Sequence, residues 1–382
     1  MNGDLILLDR KDLTVSMDSK KVLKWQSPDI KTRTYPLNYI DQVVIYGNPK
    51  IYCNVWKALA DHNIPALLLP SRGKGRPVWV TPGLSTSVMI RKAQHHASEN
   101  VQMKDDVISV ILKFKFLRQL ALIEQLAEWF CYEKGQTLSQ KIVPLFNTSL
   151  TDAQFDEYIH KAKEAYQNNL DRLSDISGRS SFMGHEGFAA NVWFSLLKDV
   201  LSPEWKFSGR NRRPPKDPIN ALLSLSYTMA MTEVYKTVNE RGMDPCVGFL
   251  HEALPGRDSF VLDILEPLRP GADQFSLMIA MHNLQPDNFT ISEKEGCRID
   301  SSGRGQYFPN WAQWRTFWPY SIGQKYLDDE NDDEFLDLER EDDPFFNKNK
   351  KSLRLCCLQI IHEVTQCFKK SPSQEIDSEQ SQ

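Results

Sequence analysis

The chain has 382 residues, of which 41% are hydrophobic and 25% are charged. These proportions are typical of a soluble globular protein of one or two domains, and no apolar run is long enough to predict a membrane-spanning helix. Charged residues near the N-terminus (MNGDLILLDRKD) exclude a secretory signal, so we expect a cytoplasmic protein with no membrane partner.

The distribution of charge and the cysteines give further information about the class of protein. The formal net charge is −4, but residues 326–382 hold 15 of the 50 acidic residues and 7 of the 46 basic ones, so the rest of the chain is mildly basic. This permits nucleic-acid binding without demonstrating it. The seven cysteines are odd in number and form no C-x-x-C pair, which indicates reduced, mostly buried thiols rather than disulfides or a zinc ribbon.

Short β-branched and aromatic runs separated by turn residues dominate the first 85 residues, which predicts strands. These runs are LILLD, LTVSM, KVLKW, TRTYPL, YIDQVVIYG and IPALLLP, and only NVWKALADHN (54–63) has a helical pattern. The Gly- and Pro-rich segment PSRGKGRPVWVTPG (70–83) predicts a hairpin at a boundary. We therefore expect a small β-rich domain at residues 1–85.

From residue 86 onward, apolar residues recur every three or four positions, which predicts helices. The expected helices include 105–135, 151–174, one that begins near Gly187, and 219–242 with Pro218 just before it. We therefore predict an α+β protein in which a larger, mostly α-helical domain with the functional site occupies residues 86–325.

Residues 326–382 are predicted to form an acidic and polar C-terminal extension. Its block DDENDDEFLDLEREDD (328–343) is expected to be a solvated extension, with a nucleic-acid mimic or a docking segment as the alternatives. LRLCCLQIIHEVTQCF (353–368) has the pattern of one amphipathic helix, and the last residues are polar.

Three segments contain residues suited to chemistry. In GHEGFAANVWFSLLKDVL (184–201), Glu186 could simply interact with the dipole of a helix that begins beside it. The segment KFSGRNRRPPKDPINALLSLSY (206–227) is basic and stiffened by prolines, so it suits phosphate binding, although a solvated loop has the same composition.

The third segment, GFLHEALPGRDSFVLDILEPLRP (248–270), contains a histidine followed by two acidic residues. Asp263 and Glu266 are three positions apart and can share one helix face. Together with His251 they could bind Mg²⁺ or Mn²⁺. Taken alone, the spacing favours a buried core histidine and a solvated acid pair over a metal site.

Taken together, the three segments closely resemble the signature of the CRISPR adaptation integrase family. GMDPCVGFLH followed by PGR, LDILE and LRP resembles one block of that signature, RRPPKDPINALLSLSY a second, and HEGFAANVWF a third. Their order and separation also fit, and the resemblance covers roughly residues 1–310. It implies a metal-dependent DNA endonuclease and integrase that inserts new spacers into CRISPR arrays, which is part of antiviral defence.

The resemblance also implies roles for individual residues. Glu186, His251 and Glu266 match the catalytic metal ligands of the family, with Mg²⁺ or Mn²⁺ as the ion, and Asp263 matches a supporting acidic position. Contacts with DNA phosphates are inferred from charge for the residues beside the site, namely Arg210, Arg212, Arg213, Lys216, Asn220 and Arg257. One departure is that an acid-Arg pair common in the family is replaced here by Ala253 and Leu254.

The implied partners are double-stranded DNA, as spacer precursor and as CRISPR repeat, and a second copy of the chain. The resemblance implies that the β-rich domain at residues 1–85 mediates dimerisation, and that two such homodimers are bridged by a small ferredoxin-like CRISPR partner protein. The alternatives are a transposon-encoded integrase of the same fold and a non-catalytic DNA-binding scaffold.

Overall fold

A computed structural model describes residues 4–10, 12–70, 77–80, 88–135, 143–211, 214–293, 295–319 and 352–368. Within these residues a β-rich N-terminal region is followed by a mostly helical region, which confirms the α+β prediction. None of the helices in the described part of the chain combines the length and apolar composition needed to cross a membrane. All seven cysteines are free thiols, and four of them are buried.

The β-rich region consists of two four-stranded sheets and one helix. One sheet has the order β1-β5-β7-β8, with β8 antiparallel, and the other has the order β4-β3-β2-β6. The strands are β1 (Asp4–Leu8), β2 (Thr14–Ser19), β3 (Val22–Ser27), β4 (Ile30–Pro36), β5 (Ile40–Tyr46), β6 (Lys50–Ile51), β7 (Ala66–Leu69) and β8 (Val78–Val80), and helix α1 is Cys53–Asp61. The helix predicted at 54–63 is therefore confirmed.

Strand β5 joins the two regions because it is buried on both faces. Successive side chains of a strand point to opposite faces of its sheet. Val43 and Ile45 belong to the core of the β-rich region, whereas Val44 between them packs into the core of the helical region. A strand covered on both sides has few polar positions, which explains the apolar run VVI.

Ion pairs reinforce the same junction. Asp41 on β5 accepts hydrogen bonds from Lys236 Nζ and from an Arg315 guanidinium nitrogen, each at 2.6 Å. Burial acts to raise the pKa of Asp41, but Arg315 and Lys236 outweigh it and hold the pKa below its usual value. Arg304 pairs with Asp9 at 2.8 Å, which adds a second link between the regions.

The helical region is built around two long helices. Helix α3 (Val101–Gly135) is about 50 Å long, as its 35 residues at the rise of an α-helix require. Helix α6 (Pro218–Glu240) begins with proline at its first position, and the Asp217 side chain caps it. The other elements are α2 (Val88–Glu99), α4 (Asp152–Asp171), α5 (Arg179–Val200), α7 (Ser259–Leu265), α8 (Arg269–His282), β9 (Phe289–Ser292), β10 (Gly296–Ile299), α9 (Ser301–Trp314) and α10 (Leu353–Cys367).

Helix α10 confirms the amphipathic helix predicted at 353–368. The sequence placed it in a C-terminal extension, whereas the structure packs its apolar face into the core of the helical region. Phe368, just after the helix, stacks on Phe249 with ring centroids 5.7 Å apart. The acidic block 328–343 lies outside the described residues, and the division into domains at 85 and 325 stays a prediction.

Gly271 on α8 allows unusually close packing, and we expect its replacement to be costly. A Cβ at this position would lie 2.6 Å from the Trp318 indole, closer than van der Waals contact allows. Gly271→Ala should therefore lower the free energy of unfolding by about 1–3 kcal/mol, the usual cost of overpacking a core. Thermal and urea unfolding of the purified variant measure this effect.

Gly305→Ala is the matched control, because Gly305 lies in the exposed part of α9 with no atom within 4 Å of an added Cβ. This variant should gain about 0.5–1 kcal/mol from helix propensity. A Gly271→Ala variant as stable as the unmodified protein would contradict the packing argument.

Candidate metal centre

The loop that carries His251 is held by the carboxylate of Asp263. Asp263 is fully buried on α7, and its two oxygens accept hydrogen bonds from the backbone N–H groups of Phe249, Leu250 and His251 at 2.5–3.1 Å. Gly248 allows the loop to close on α7, because a Cβ there would lie 2.5 Å from the His251 carbonyl oxygen. The charge of Asp263 is thereby offset by backbone donors.

The same carboxylate orients the imidazole of His251. Nδ1 lies 2.7 Å from Asp263 Oδ1, and a carboxylate in this position requires the hydrogen on Nδ1. In the neutral ring that metal binding requires, the lone pair is then on Nε2, which is the nitrogen that faces Glu266 Oε1 at 3.9 Å. An anchored imidazole with a free Nε2 is the arrangement that metal-binding histidines usually have.

Glu266 follows directly after α7 and is 1% exposed. Oε1 lies 2.9 Å from an Arg269 guanidinium nitrogen, and Oε2 lies 2.7 Å from Lys115 Nζ. Burial acts to raise the pKa of Glu266, but Arg269, Lys115 and His251 outweigh it and lower the pKa to about 2. The carboxylate is therefore ionised at neutral pH, as a metal ligand must be.

Glu186 reaches the same point from α5. The helix begins at Arg179 after Gly178, which has a φ of 80°, so the prediction that it begins near Gly187 is wrong. The physical reason is that Asp105 accepts a hydrogen bond from the Gly178 N–H at 2.8 Å and fixes an earlier start. Glu186 consequently lies about two turns into the helix, and interaction with the helix dipole does not explain it.

Lys115, on α3, is the residue that sequence analysis missed. Its Nζ lies 2.6 Å from Glu186 Oε1 and 2.7 Å from Glu266 Oε2, so one ammonium group joins the two carboxylates. The signal was present in the sequence. Lys115 falls on the apolar stripe of α3 together with Ile108, Ile111 and Leu122, where a charged residue requires a buried partner.

The part of the basic segment that precedes α6, residues 206–217, is connected to this centre through stacked side chains. The guanidinium groups of Arg210 and Arg269 both lie over the Tyr227 ring, 5.4 and 5.1 Å from its centroid. The Tyr227 hydroxyl donates a hydrogen bond to Asp273. Burial raises the pKa of Asp273 to about 6 against the opposing effects of Tyr227 and Arg210.

Two predicted DNA-contacting residues have structural partners. Arg210 donates to Asn220 Oδ1 at 2.7 Å and to Ser224 Oγ at 3.2 Å. Asn220 is fully buried, and its amide donates to Gly209 O at 2.9 Å and to Asp217 Oδ2 at 2.7 Å. In this conformation both side chains hold the loop in place.

The other predicted DNA-contacting residues are distributed around the centre. Lys216 is exposed, and Arg257 is half-buried in the turn after Pro255 and Gly256. Arg212 and Arg213 lie outside the described residues. The loop is braced by the β9–β10 hairpin, where the Cys297 N–H donates to the Pro215 carbonyl at 2.7 Å.

The structure thus brings Glu186, His251 and Glu266 together, with Asp263 behind the histidine. Across the described residues, no three His, Cys, Asp or Glu side chains already form a closed set of metal ligands. The local reason is the Lys115 ammonium between the two glutamates. The donor set itself, two carboxylates and one imidazole nitrogen, fits a divalent ion of the magnesium or manganese type.

Comparison with known proteins identifies a family whose model matches most of the chain, and individual relatives. Residues 6–313 match the model of a family described as CRISPR associated protein Cas1. A protein of Thermodesulfovibrio yellowstonii named CRISPR-associated endonuclease Cas1 1 is 28% identical over 331 residues, which are 82% of this chain and 93% of that protein. A Thermus thermophilus protein, CRISPR-associated endonuclease Cas1 3, is 45% identical over 113 residues, 30% of this chain and 34% of that one.

Solved structures share the fold at lower identity. A Cas1 protein from Thermotoga maritima has a TM-score of 0.67 at 17% identity and covers 97% of this chain and 98% of its own. A casposase bound to an integration product has a TM-score of 0.70 at 19% identity. This match covers 97% of this chain and 92% of the casposase chain.

The role of Asp263 can be tested by removing its carboxylate. Asp263→Ala should leave three buried backbone donors and the His251 ring without their acceptor, and should lower the free energy of unfolding by at least about 3 kcal/mol. Nitrogen NMR shifts of His251 should at the same time lose the signature of a single tautomer. Asp156→Ala, which removes an exposed acid on α4, is the control. A loss no larger than that of the control would contradict the proposed anchoring.

Proposed function

The chain belongs to the CRISPR-associated Cas1 family, and from this premise we propose that it is a metal-dependent DNA endonuclease and integrase that inserts spacer DNA into CRISPR arrays. The observation that carries the proposal is the meeting of Glu186 and Glu266 at the ammonium group of Lys115, with Nε2 of His251 3.9 Å from Glu266. The two glutamates and the histidine are the residues that the family resemblance singles out, and they come from two separate segments of the chain, 184–201 and 248–270.

The reaction is phosphoryl transfer. In integration, the 3′-hydroxyl oxygen of a spacer precursor forms a bond to the phosphorus of a repeat phosphodiester. The bond from that phosphorus to the leaving 3′ oxygen breaks, and the leaving oxygen takes up a proton. In hydrolysis, water replaces the attacking hydroxyl. Both paths need positive charge beside the reacting phosphate, because negative charge develops there.

We propose Mg²⁺ or Mn²⁺ as the cofactor, held by Glu186, Glu266 and Nε2 of His251. When bound, such an ion would offset charge on the phosphate and lower the pKa of the attacking hydroxyl. Asp263 keeps the hydrogen of His251 on Nδ1, so that Nε2 stays available as a ligand. Arg269 keeps Glu266 ionised and adds a fixed positive charge at the centre.

The basic segment is proposed to position DNA by its backbone rather than to read its sequence. Lys216, which is exposed beside the site, and Arg257 are proposed to contact phosphates, together with Arg212 and Arg213 on the strength of their charge. For Arg210 and Asn220 we favour a positioning role, because their hydrogen bonds hold the loop that carries the other basic residues.

We also propose that the chain acts as a homodimer in a larger complex. Insertion of a duplex needs two strand transfers at separated points, and each chain offers one centre. Among the described strands, β8 lies at the edge of its sheet, and its Val78 is 52% exposed. This supports pairing of the β-rich regions, because apolar edge strands are usually covered. The fold of this chain matches 36% of a chain solved in a Cas6-RT-Cas1–Cas2 complex, with a TM-score of 0.70 at 18% identity. A small ferredoxin-like partner is our proposal here.

Replacement of the histidine tests the catalytic assignment. His251→Ala should abolish Mn²⁺-dependent strand transfer of a 3′-hydroxyl duplex into a repeat-bearing plasmid, with the partner protein present, because one ligand is lost. His160→Ala, at an exposed position on α4, should retain full activity. Full transfer by the folded His251→Ala protein would contradict the assignment, and transfer without preference for the repeat would favour the transposon-encoded alternative.

Charge reversal tests the DNA path. Arg212→Glu with Arg213→Glu should weaken duplex binding and reduce the slope of log K against log salt by about one unit per lost phosphate contact. Lys20→Glu with Lys21→Glu, in the exposed turn between β2 and β3, makes the same change in charge far from the proposed path. Fluorescence anisotropy between 50 and 200 mM salt measures both slopes. Equal effects of the two pairs would remove the basic segment from the proposal.

A further inference from the structure

Lys115 occupies a position that the proposed reaction does not explain. It is 5% exposed on the apolar stripe of α3, and burial of an ammonium group is unfavourable unless the charge is paired. The partners of its ammonium group are themselves proposed metal ligands. They are Glu186 Oε1 at 2.6 Å and Glu266 Oε2 at 2.7 Å, one oxygen from each of the two carboxylates proposed to bind the metal.

The charges at this point are balanced before any metal arrives. Lys115 and Arg269 supply two positive charges against the two negative charges of Glu186 and Glu266. The third acid, Asp263, is offset by the backbone N–H groups that it accepts from. A divalent ion would therefore add positive charge to a site that is already close to neutral, and it would do so within a few ångströms of an ammonium group.

The two cations differ in how firmly they are held. Arg269 is three residues from Glu266 in sequence, and its guanidinium also lies 5.1 Å from the Tyr227 ring centroid. Lys115 comes from a different helix through a flexible four-carbon side chain, and among the described residues its ammonium bonds to the two glutamates alone. Of the two, Lys115 is the cation that can move aside.

We propose that Lys115 is an internal counter-ion that stands in for the metal between Glu186 and Glu266, and that metal binding displaces its ammonium from at least one of these carboxylates. The ammonium stabilises the metal-free protein by holding α3, α5 and the end of α7 together. It also competes with the metal, so that the affinity of the site is lower than its ligands alone would provide. This inference rests on the metal site of the proposed function.

The test compares Lys115→Met with Lys236→Met in the full-length protein, after removal of metal by a chelator and dialysis. Lys236 is an equally well-matched lysine, since it is 6% exposed and pairs with Asp41 at 2.6 Å far from the centre. Binding of Mn²⁺ is measured by electron paramagnetic resonance of the free ion, and stability by calorimetry with and without Mn²⁺.

Lys115→Met should lower the melting temperature of the metal-free protein, because it leaves the buried carboxylate of Glu266 and the partly buried carboxylate of Glu186 without their shared cation. It should also bind Mn²⁺ at least about tenfold more tightly than the unmodified protein, since one positive charge near the ion is gone. The rise in melting temperature on adding Mn²⁺ should be larger for the same reason. Lys236→Met should lower the melting temperature but leave both the affinity and the Mn²⁺-induced rise unchanged.

Other outcomes separate the possible failures. If Lys115→Met binds Mn²⁺ with equal or weaker affinity while the unmodified protein binds it, Lys115 is a structural or ligand-holding residue and the counter-ion proposal is wrong. If the unmodified protein binds no Mn²⁺, or binds it as tightly as His251→Ala does, the metal site itself fails. Should Lys115→Met not fold, Lys115→Gln carries the same expectation, because its amide is neutral and can still donate to one carboxylate.

Discussion

The helical region is organised around the need to neutralise buried carboxylates. Glu266 and Asp263 are almost completely removed from water, and an ionised carboxylate in that environment is tolerated only with compensating charges or donors. The compensation comes from α3 through Lys115, from the start of α8 through Arg269, and from the backbone of residues 249–251. Segments that lie far apart in the sequence must therefore meet at one point, and the packing of α3, α5 and α7 follows from that requirement.

Helix α6 extends this arrangement to the rest of the molecule. Near its start, Asn220 and Tyr227 contact Arg210 of the basic segment, and Tyr227 also contacts Arg269 at the centre. Near its end, Lys236 pairs with Asp41 of the β-rich region. One rigid helix thus links the proposed DNA-contacting loop, the candidate ligands and the proposed dimerisation region, so the position of Arg210 relative to the centre is determined by packing.

Much of this could be predicted from the sequence, for identifiable reasons. Strands with alternating or continuous apolar patterns and helices with a three- to four-residue period carry their own signal, and Pro218 marks the start of α6 as expected. The start of α5 could not be predicted, because it depends on a cap from Asp105, which is distant in sequence. For Lys115, the apolar stripe of α3 indicated burial, but the identity of its partners is set by tertiary contacts that the sequence does not show. The same holds for Asn220, whose burial the sequence did not reveal.

The two acidic residues at the end of α7 show that spacing in the sequence does not determine the structural role of a side chain. Three positions apart, Asp263 and Glu266 were expected to share a helix face, yet they serve different partners. The α-helix ends at Leu265, and Glu266 opens a single tighter turn that contains Pro267. Asp263, with its shorter side chain, accepts hydrogen bonds from the backbone of the His251 loop, whereas the longer Glu266 accepts one from Lys115 on α3. The two residues are therefore not interchangeable, since an aspartate at 266 would fall one methylene short of Lys115 and a glutamate at 263 would push against the loop that it anchors.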